Sequence, residues 1–346
     1  MIKVGIIGAT GYTGGELVRL LLNHPETVLT ALTTTSQAGM RIADIYPALT
    51  GYTDEVLVEA DVAKTVELCD VVFVALPHGH AVAVGREVLK QNKKMIDLGA
   101  DFRLKDSSVY EEWYKVTHDG KEMLADAVYA LPELHRAEIK GKSLIANPGC
   151  YPTSIILALA PLLQAGIINP HTLVIDAKSG MSGAGKKLTE ATHYVEMNDN
   201  VDAYGVGNHR HIPEIEQELA RAYGAKFFLS FTPHHMPITR GILSSMYADL
   251  TRTVDEAEVR ALYEVAYGQE QFVHLLKPNI YPHTKWVAGS NNCHLNFKID
   301  PRTNRIILIS AIDNLLKGAS GQAVQNMNIL FDLPEETGLK FAGLMP

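Results

Sequence analysis

The chain has 346 residues, 47% of them apolar and 20% charged, with 31 basic against 39 acidic side chains and a net charge of −8. That balance belongs to a folded globular chain, and the length exceeds one ordinary core, so two domains are expected. The mild acidity argues against a nucleic-acid surface or a polybasic membrane patch. The three cysteines Cys69, Cys150 and Cys293 share no metal-type spacing and suit a reducing compartment without disulfides.

The opening apolar run to Gly8 is too short for a signal peptide, and the longest apolar helix is expected to be interrupted at Pro161, short of a membrane span. A cytoplasmic protein is therefore expected. In chain order, 3–8 reads as a strand, 14–23 as a helix with Leu17, Leu20 and Leu21 on one face, and 28–33 as a second strand. Strands at 71–76, 94–98 and 144–146 follow, with a helix over 81–91. Apolar strands alternating with helices predict a doubly wound α/β domain with a parallel sheet over 1–149. The texture then changes. A helix near 154–165 precedes strands at 173–178, 226–233, 242–250 and 294–300, interrupted by helices near 213–223 and 255–267. This second domain, 150–317, reads as α+β with a mostly antiparallel sheet. Ile306–Ile309 and a helix over 318–330 read as a return to the first domain, which the C-terminal segment 318–346 would complete.

Strand one runs into Gly8-Ala9-Thr10-Gly11-Tyr12-Thr13-Gly14. A glycine triplet between the first strand and first helix suits close approach of the backbone to a pyrophosphate, so these seven positions, Ala9 aside, are candidate dinucleotide contacts. A plain tight turn is the alternative. Strand two ends without the carboxylate that an NAD site usually offers; Thr35, Ser36 and Arg41 suit a 2′-phosphate instead, which favours NADP. Arg41 could equally be a solvated surface charge.

The run Asn147-Pro148-Gly149-Cys150-Tyr151-Pro152-Thr153 places a thiol where a Pro-Gly turn passes into a helix. Backbone N–H groups and the helix dipole there favour the thiolate, and a nucleophile needs that setting. A small buried cysteine is the competing reading. Cys69 and Cys293 lack the turn-to-helix setting and read as structural. A proton-transfer group is most often histidine. The cluster Asn208-His209-Arg210-His211-Ile212-Pro213-Glu214 offers His209 or His211 before a helix, while His234 and His235 form a rival pair on an expected loop. Arg103, after strand four, is the leading anion candidate; the glycine-rich loop 179–187 with Ser182, Gly183 and Lys186, and Arg240, are others.

Taken together, Gly8–Gly14, Ala100–Arg103, Asn147–Thr153, Ser179–Gly185, Gly207–Ile215 and Asp313–Ala319 resemble, in order and over nearly the whole chain, the N-acetyl-γ-glutamyl-phosphate reductase family of the aspartate-semialdehyde dehydrogenase superfamily. Tyr151-Pro152-Thr153 and the His-Arg-His-x-Pro-Glu-Ile run favour the glutamyl branch over the aspartyl one. The resemblance implies NADPH-dependent reduction of an acyl phosphate to a semialdehyde through a thioester on Cys150, with His211 or His209 as acid–base. It also implies Ser182, Gly183 and Asn314 near the nicotinamide, and Arg103, Asn147 and Lys186 near the substrate. Lys186 stands where the family frequently has arginine, which keeps the charge but loses the bidentate geometry. A small-molecule substrate, no metal, and a homodimer or homotetramer complete the expectation. Competing readings are an aspartyl or N-acyl-aminoadipyl phosphate substrate, and a non-catalytic NADPH sensor.

Overall fold

The computed structural model describes residues 1–345 and divides into two compact units, Met1–Pro148 with Ala319–Lys340, and Gly149–Gly318 with the tail from Phe341. In the first unit, strands β1 (Ile2–Ile7), β2 (Thr27–Thr34), β3 (Val58–Glu59), β4 (Val71–Val74), β5 (Lys94–Asp97), β6 (Val128–Tyr129) and β7 (Leu144–Ala146) form one sheet. Their order is β3-β2-β1-β4-β5-β7-β6, and every pairing is parallel. The strands are apolar on both faces because helices cover both: β4 reads Val-Val-Phe-Val and is buried throughout. The order reverses between β1 and β4, and at such a switch point a crevice opens at the strands' carboxyl ends.

The wholly buried helix Gly321–Leu330 completes this unit. Its apolar side is not enough to explain that burial, because it carries Gln322, Gln325, Asn326 and Asn328. These amides are used: Asn326 Nδ2 donates to Ala130 O at 2.9 Å, and Asn328 Oδ1 meets His24 Nε2 at 2.9 Å. Buried amides demand such partners.

In the second unit, β8 (Val174–Gly180), β9 (Asp202–Ala203), β10 (Ser230–Met236), β11 (Ile242–Asp249), β12 (Val273–Leu275), β13 (Cys293–Asp300) and β14 (Arg305–Ile312) form a sheet ordered β12-β13-β14-β11-β8-β10-β9. It is mixed but mostly antiparallel; only β8–β10 and β12–β13 run parallel. Burial alternates along β11 at every residue, the period of a sheet with one covered face. The cover is the helix Cys150–Gln164, in which every residue from Tyr151 to Leu163 is buried. Such a helix cannot show a strong apolar stripe, because it is surrounded.

Several expectations change here. Ile306–Ile309 lies inside β14, paired with β11 and β13, so it belongs to the second sheet rather than to the return segment. His234 and His235 are strand residues of β10, not loop residues. The covering helix starts four residues earlier than 154 and passes through Pro161. Pro161 has no N–H for the Leu157 carbonyl, and that carbonyl instead accepts the Tyr267 hydroxyl at 2.8 Å; the Tyr263 hydroxyl donates to Ala158 O. Tertiary donors thus offset the usual helix-breaking cost of proline. Among the described residues no helix is long and apolar enough to cross a membrane.

Candidate active site

The first unit carries a cleft of about 350 Å³ lined by Gly8, Thr10, Gly11, Thr33, Thr34, Thr35, Ala75, Leu76 and His80, among others. It lies at the carboxyl ends of β1, β2 and β4. Gly11 caps the helix Tyr12–Leu22 without a side-chain hydrogen bond, so the cap's small residue leaves the first-turn amides open to a ligand oxyanion. Gly14 serves the turn itself: a Cβ there would stand 2.2 Å from Gly8 O. The Tyr46 hydroxyl lies 2.8 Å from both Thr10 O and Gly11 O and fixes the loop from outside. Burial pushes its pKa up to about 12. Neither a glycine motif nor a period in the sequence announces Tyr46.

Of the expected cofactor contacts, Gly8, Thr10, Gly11 and Thr35 line the cleft, whereas Tyr12, Thr13, Gly14, Ser36 and Arg41 do not. Thr13 O accepts the Ser320 hydroxyl at 2.9 Å. The Arg41 guanidinium is exposed and paired with Asp44 at 2.8 Å and Asp54 at 3.4 Å in a surface cluster. These fits support a nucleotide with its pyrophosphate on the glycine turn and hydroxyl side chains at its ribose end.

Arg103 and Asn147 are held by hydrogen bonds inside the first unit. Arg103 Nε donates to Asn147 O and Nη2 to Leu98 O, both at 2.9 Å. Asn147 is wholly buried; its Nδ2 donates to Ala319 O and its Oδ1 accepts from Asn326 Nδ2, both at 3.0 Å. These bonds hold both side chains within the first unit, after β5 and at the end of β7.

In the second unit, Gly149 caps the covering helix and Cys150 is its first residue, partly buried. Pro152 carries no N–H, and the Thr153 amide donates to Gly149 O at 3.0 Å. The Cys150 and Tyr151 amides are therefore the first-turn donors directed past the helix end. Gly149 N–H donates to Glu214 Oε1 at 2.8 Å, and Glu214 is 1% exposed. Glu214 stands in the first turn of the helix Ile212–Tyr223, whose N-cap is His211. Two helix N-termini, one beginning with Cys150 and one preceded by His211, are thus tied together by a buried carboxylate.

An aromatic wall encloses them. Tyr151 meets His209, His211 and Phe231 edge-on at 5.6, 6.0 and 5.3 Å, and the His209 and His211 rings are 4.9 Å apart. The Tyr204 hydroxyl donates to that of Tyr151 at 3.1 Å, and Tyr204 stacks on His235 at 3.8 Å. Burial raises the pKa of both tyrosines, so they stay neutral hydrogen-bonding groups. The two histidines differ. His209 Nδ1 accepts the His211 backbone N–H at 3.1 Å, and burial, reinforced by Arg210 and then His235, lowers its pKa to about 4. A ring so placed stays neutral at physiological pH and makes a poor proton donor.

Two further loops converge. Asn314 Oδ1 accepts the Gly241 N–H and its Nδ2 donates to Ser182 Oγ, both at 2.8 Å. Asp313, wholly buried, accepts the Leu315 and Gly289 amides at 2.8 Å, with Arg240 Nη1 3.6 Å from its Oδ2. Gly318 at the end of this turn lies so close that a Cβ there would meet the Cys150 Cβ at 2.8 Å. Ser182, Gly183 and Asn314 are therefore assembled together, while Lys186 is exposed on the loop beyond. Cys69 is buried against Thr30 at 3.2 Å, and Cys293 is buried in β13. Among the described residues no group of three or more acidic, histidine or cysteine side chains could hold a metal.

Residues 3–142 match the family model "Semialdehyde dehydrogenase, NAD binding domain", and 150–314 match "Semialdehyde dehydrogenase, dimerisation domain". The chain is 55% identical to an N-acetyl-gamma-glutamyl-phosphate reductase of Moorella thermoacetica and 54% identical to one of Desulforamulus reducens, with 100% of each chain covered in both cases. In fold it resembles an aspartate semialdehyde dehydrogenase II of Vibrio cholerae, with a TM-score of 0.70 and 17% identity over 96% of this chain and 98% of that one. An aspartate semialdehyde dehydrogenase of Candida albicans solved with NADP gives 0.67 and 17%, covering 95% and 98%.

Proposed function

The chain belongs to the N-acetyl-γ-glutamyl-phosphate reductase family, and from that premise we propose that it reduces N-acetyl-L-glutamyl 5-phosphate to N-acetyl-L-glutamate 5-semialdehyde, releasing phosphate. It is an NADP-dependent oxidoreductase of amino-acid biosynthesis, in the arginine branch. The observation that carries this reading is identity of more than half the residues from end to end with reductases of that name. The cysteine at a helix start is consistent with it.

In the reaction, Cys150 Sγ attacks the acyl carbon; the C–S bond forms, the C–O bond to phosphate breaks, and a thioester results. The Cys150 and Tyr151 amides receive the oxyanion at each tetrahedral stage. NADPH, when bound, would supply the hydride for reduction of the thioester to the aldehyde level. His211 moves the proton, taking it from the thiol before attack and returning one to Sγ as the hemithioacetal collapses. We assign this role to His211 because it caps the helix that Glu214 ties to Gly149, while His209 is held neutral beside it. Arg240, with Lys186 on the neighbouring loop, supplies positive charge for the phosphate. Gly8, Thr10, Gly11 and Thr35, which line the cleft of the first unit, would hold the dinucleotide. The dimerisation-domain match supports a homo-oligomer, a homodimer or homotetramer, and three cysteines outside any disulfide suit the cytoplasm.

The test is a reverse assay with NADP, phosphate and each semialdehyde. Activity is expected with the N-acetylglutamyl compound; activity with aspartate semialdehyde alone refutes the substrate assignment. Cys150→Ala is expected to abolish turnover while NADPH still binds, and normal turnover by that variant refutes the thioester.

A further inference from the structure

Asp101 has no part in the chemistry above, yet it is 1% exposed and carries a carboxylate. Its Oδ1 accepts the Gly79 N–H at 2.7 Å and the Tyr110 hydroxyl at 2.8 Å, and its Oδ2 accepts the Ala81 N–H at 2.9 Å. Ala81 is the first residue of the helix Ala81–Lys90, whose N-cap, His80, makes no side-chain capping bond. A carboxylate twenty residues along the chain therefore serves the helix start that a local Ser or Asp serves elsewhere.

The stretch so held is exposed at Gly79 and His80, and Gly79 has a φ of +86°. The same stretch forms one wall of the cleft, through Leu76, His80, Ala83 and Val84. Beneath it the carboxylate is itself fixed. Tyr110 stacks on Tyr114 at 4.8 Å and meets His118 edge-on at 5.0 Å, and His118 Nε2 lies 2.5 Å from the Asp101 carbonyl oxygen. A buried carboxylate is tolerated when charge-assisted bonds and a helix start satisfy it, and both do so here. A rigid core thus holds an otherwise exposed wall through two amides.

We propose that Asp101 is a positioning residue for the dinucleotide: through the Gly79 and Ala81 amides it presets the cleft wall that the cofactor meets. The inference rests on the cofactor reading above. Asp101 itself touches no ligand.

NADPH fluorescence titration of the full chain tests it, with Asp101→Asn beside Tyr110→Phe. Tyr110→Phe removes only the hydroxyl bond, whereas Asp101→Asn turns an amide donor toward a backbone donor. The expected result is a Kd for NADPH raised about tenfold in Asp101→Asn, as for a wall correctly placed about one time in ten. Tyr110→Phe stays within about twofold. Alkylation of Cys150 proceeds at the wild-type rate in both, which excludes general unfolding as the cause. Equal weakening in the two variants, or no weakening in Asp101→Asn, overturns the inference. If Asp101→Asn does not fold, Asp101→Glu, which keeps the charge but displaces the wall, takes its place with the same criteria. Failure of the wild-type chain to bind NADPH removes the cofactor reading itself and is thereby distinguished.

Discussion

Glu214→Ala removes one acceptor and leaves the Gly149 N–H at the start of the Cys150 helix without its partner. The bond is 2.8 Å long and its acceptor is 1% exposed. A buried hydrogen bond to a charged group contributes about 1.5–3 kcal/mol. If that energy holds the Cys150 turn in the geometry of the transition state, its loss lowers kcat by about 10- to 100-fold, at 1.4 kcal/mol for each factor of ten. Glu214→Gln keeps a neutral acceptor at the same place and is expected to recover part of the loss. The assay is steady-state kinetics in the semialdehyde-oxidising direction, together with the rate of Cys150 alkylation by iodoacetamide and a thermal melt. Slower alkylation and lower kcat at an intact fold are expected. Wild-type alkylation and kcat within about twofold in Glu214→Ala, the effect of an ordinary surface change, would refute the idea that Glu214 fixes the nucleophile.

His211→Asn is expected to lower kcat by about 10²–10⁴-fold, the usual contribution of a general acid–base, and His209→Asn by much less; equal losses in pre-steady-state hydride transfer would argue against the assignment. Acid should destabilise the protein through His209: the unfolded imidazole binds a proton near pH 6.5, whereas the folded one resists until about 4, so stability is lost as pH falls through that interval. At 1.36 kcal/mol per pH unit this amounts to at most ~3 kcal/mol. Urea midpoints at pH 7.5 and 5 read it, and the drop should shrink in His209→Asn; an unchanged drop removes His209 as its source. Arg41→Ala should leave the Kd for NADPH within about twofold, because Asp44 and Asp54 already hold the guanidinium. A tenfold loss in titration would return Arg41 to the 2′-phosphate.

Much of this molecule was legible in the sequence because the relevant chemistry is local. A glycine turn between a strand and a helix, a Pro-Gly stop before a cysteine, and apolar strands alternating with helices are all set within a few residues by sterics and backbone hydrogen bonding. The cleft at Gly8, Thr10 and Gly11 and the placement of Cys150 at a helix start follow from those patterns. What failed depended on distance. Pro161 reads as a breaker until the hydroxyls of Tyr263 and Tyr267, more than a hundred residues away, supply the missing donors. The bonds of Arg103 and Asn147 to the carbonyls of Leu98, Asn147 and Ala319 likewise join residues that no local pattern pairs. Ile306–Ile309 is apolar enough for either sheet, and only its pairing with β11 and β13 decides which.

The same division holds at the nucleophile. The sequence placed Cys150 where a Pro-Gly turn passes into a helix, because Pro148 and Gly149 cannot continue a strand. The structure put the helix's first residue at Cys150 itself. Tertiary structure alone decided that Glu214 ties that helix to the one His211 caps, that His209 is enclosed and neutral, and that Asp101 reaches the start of the Ala81 helix. Partners that lie 65 or 20 residues apart leave no periodic mark in the chain, because what joins them is the packing of the core between.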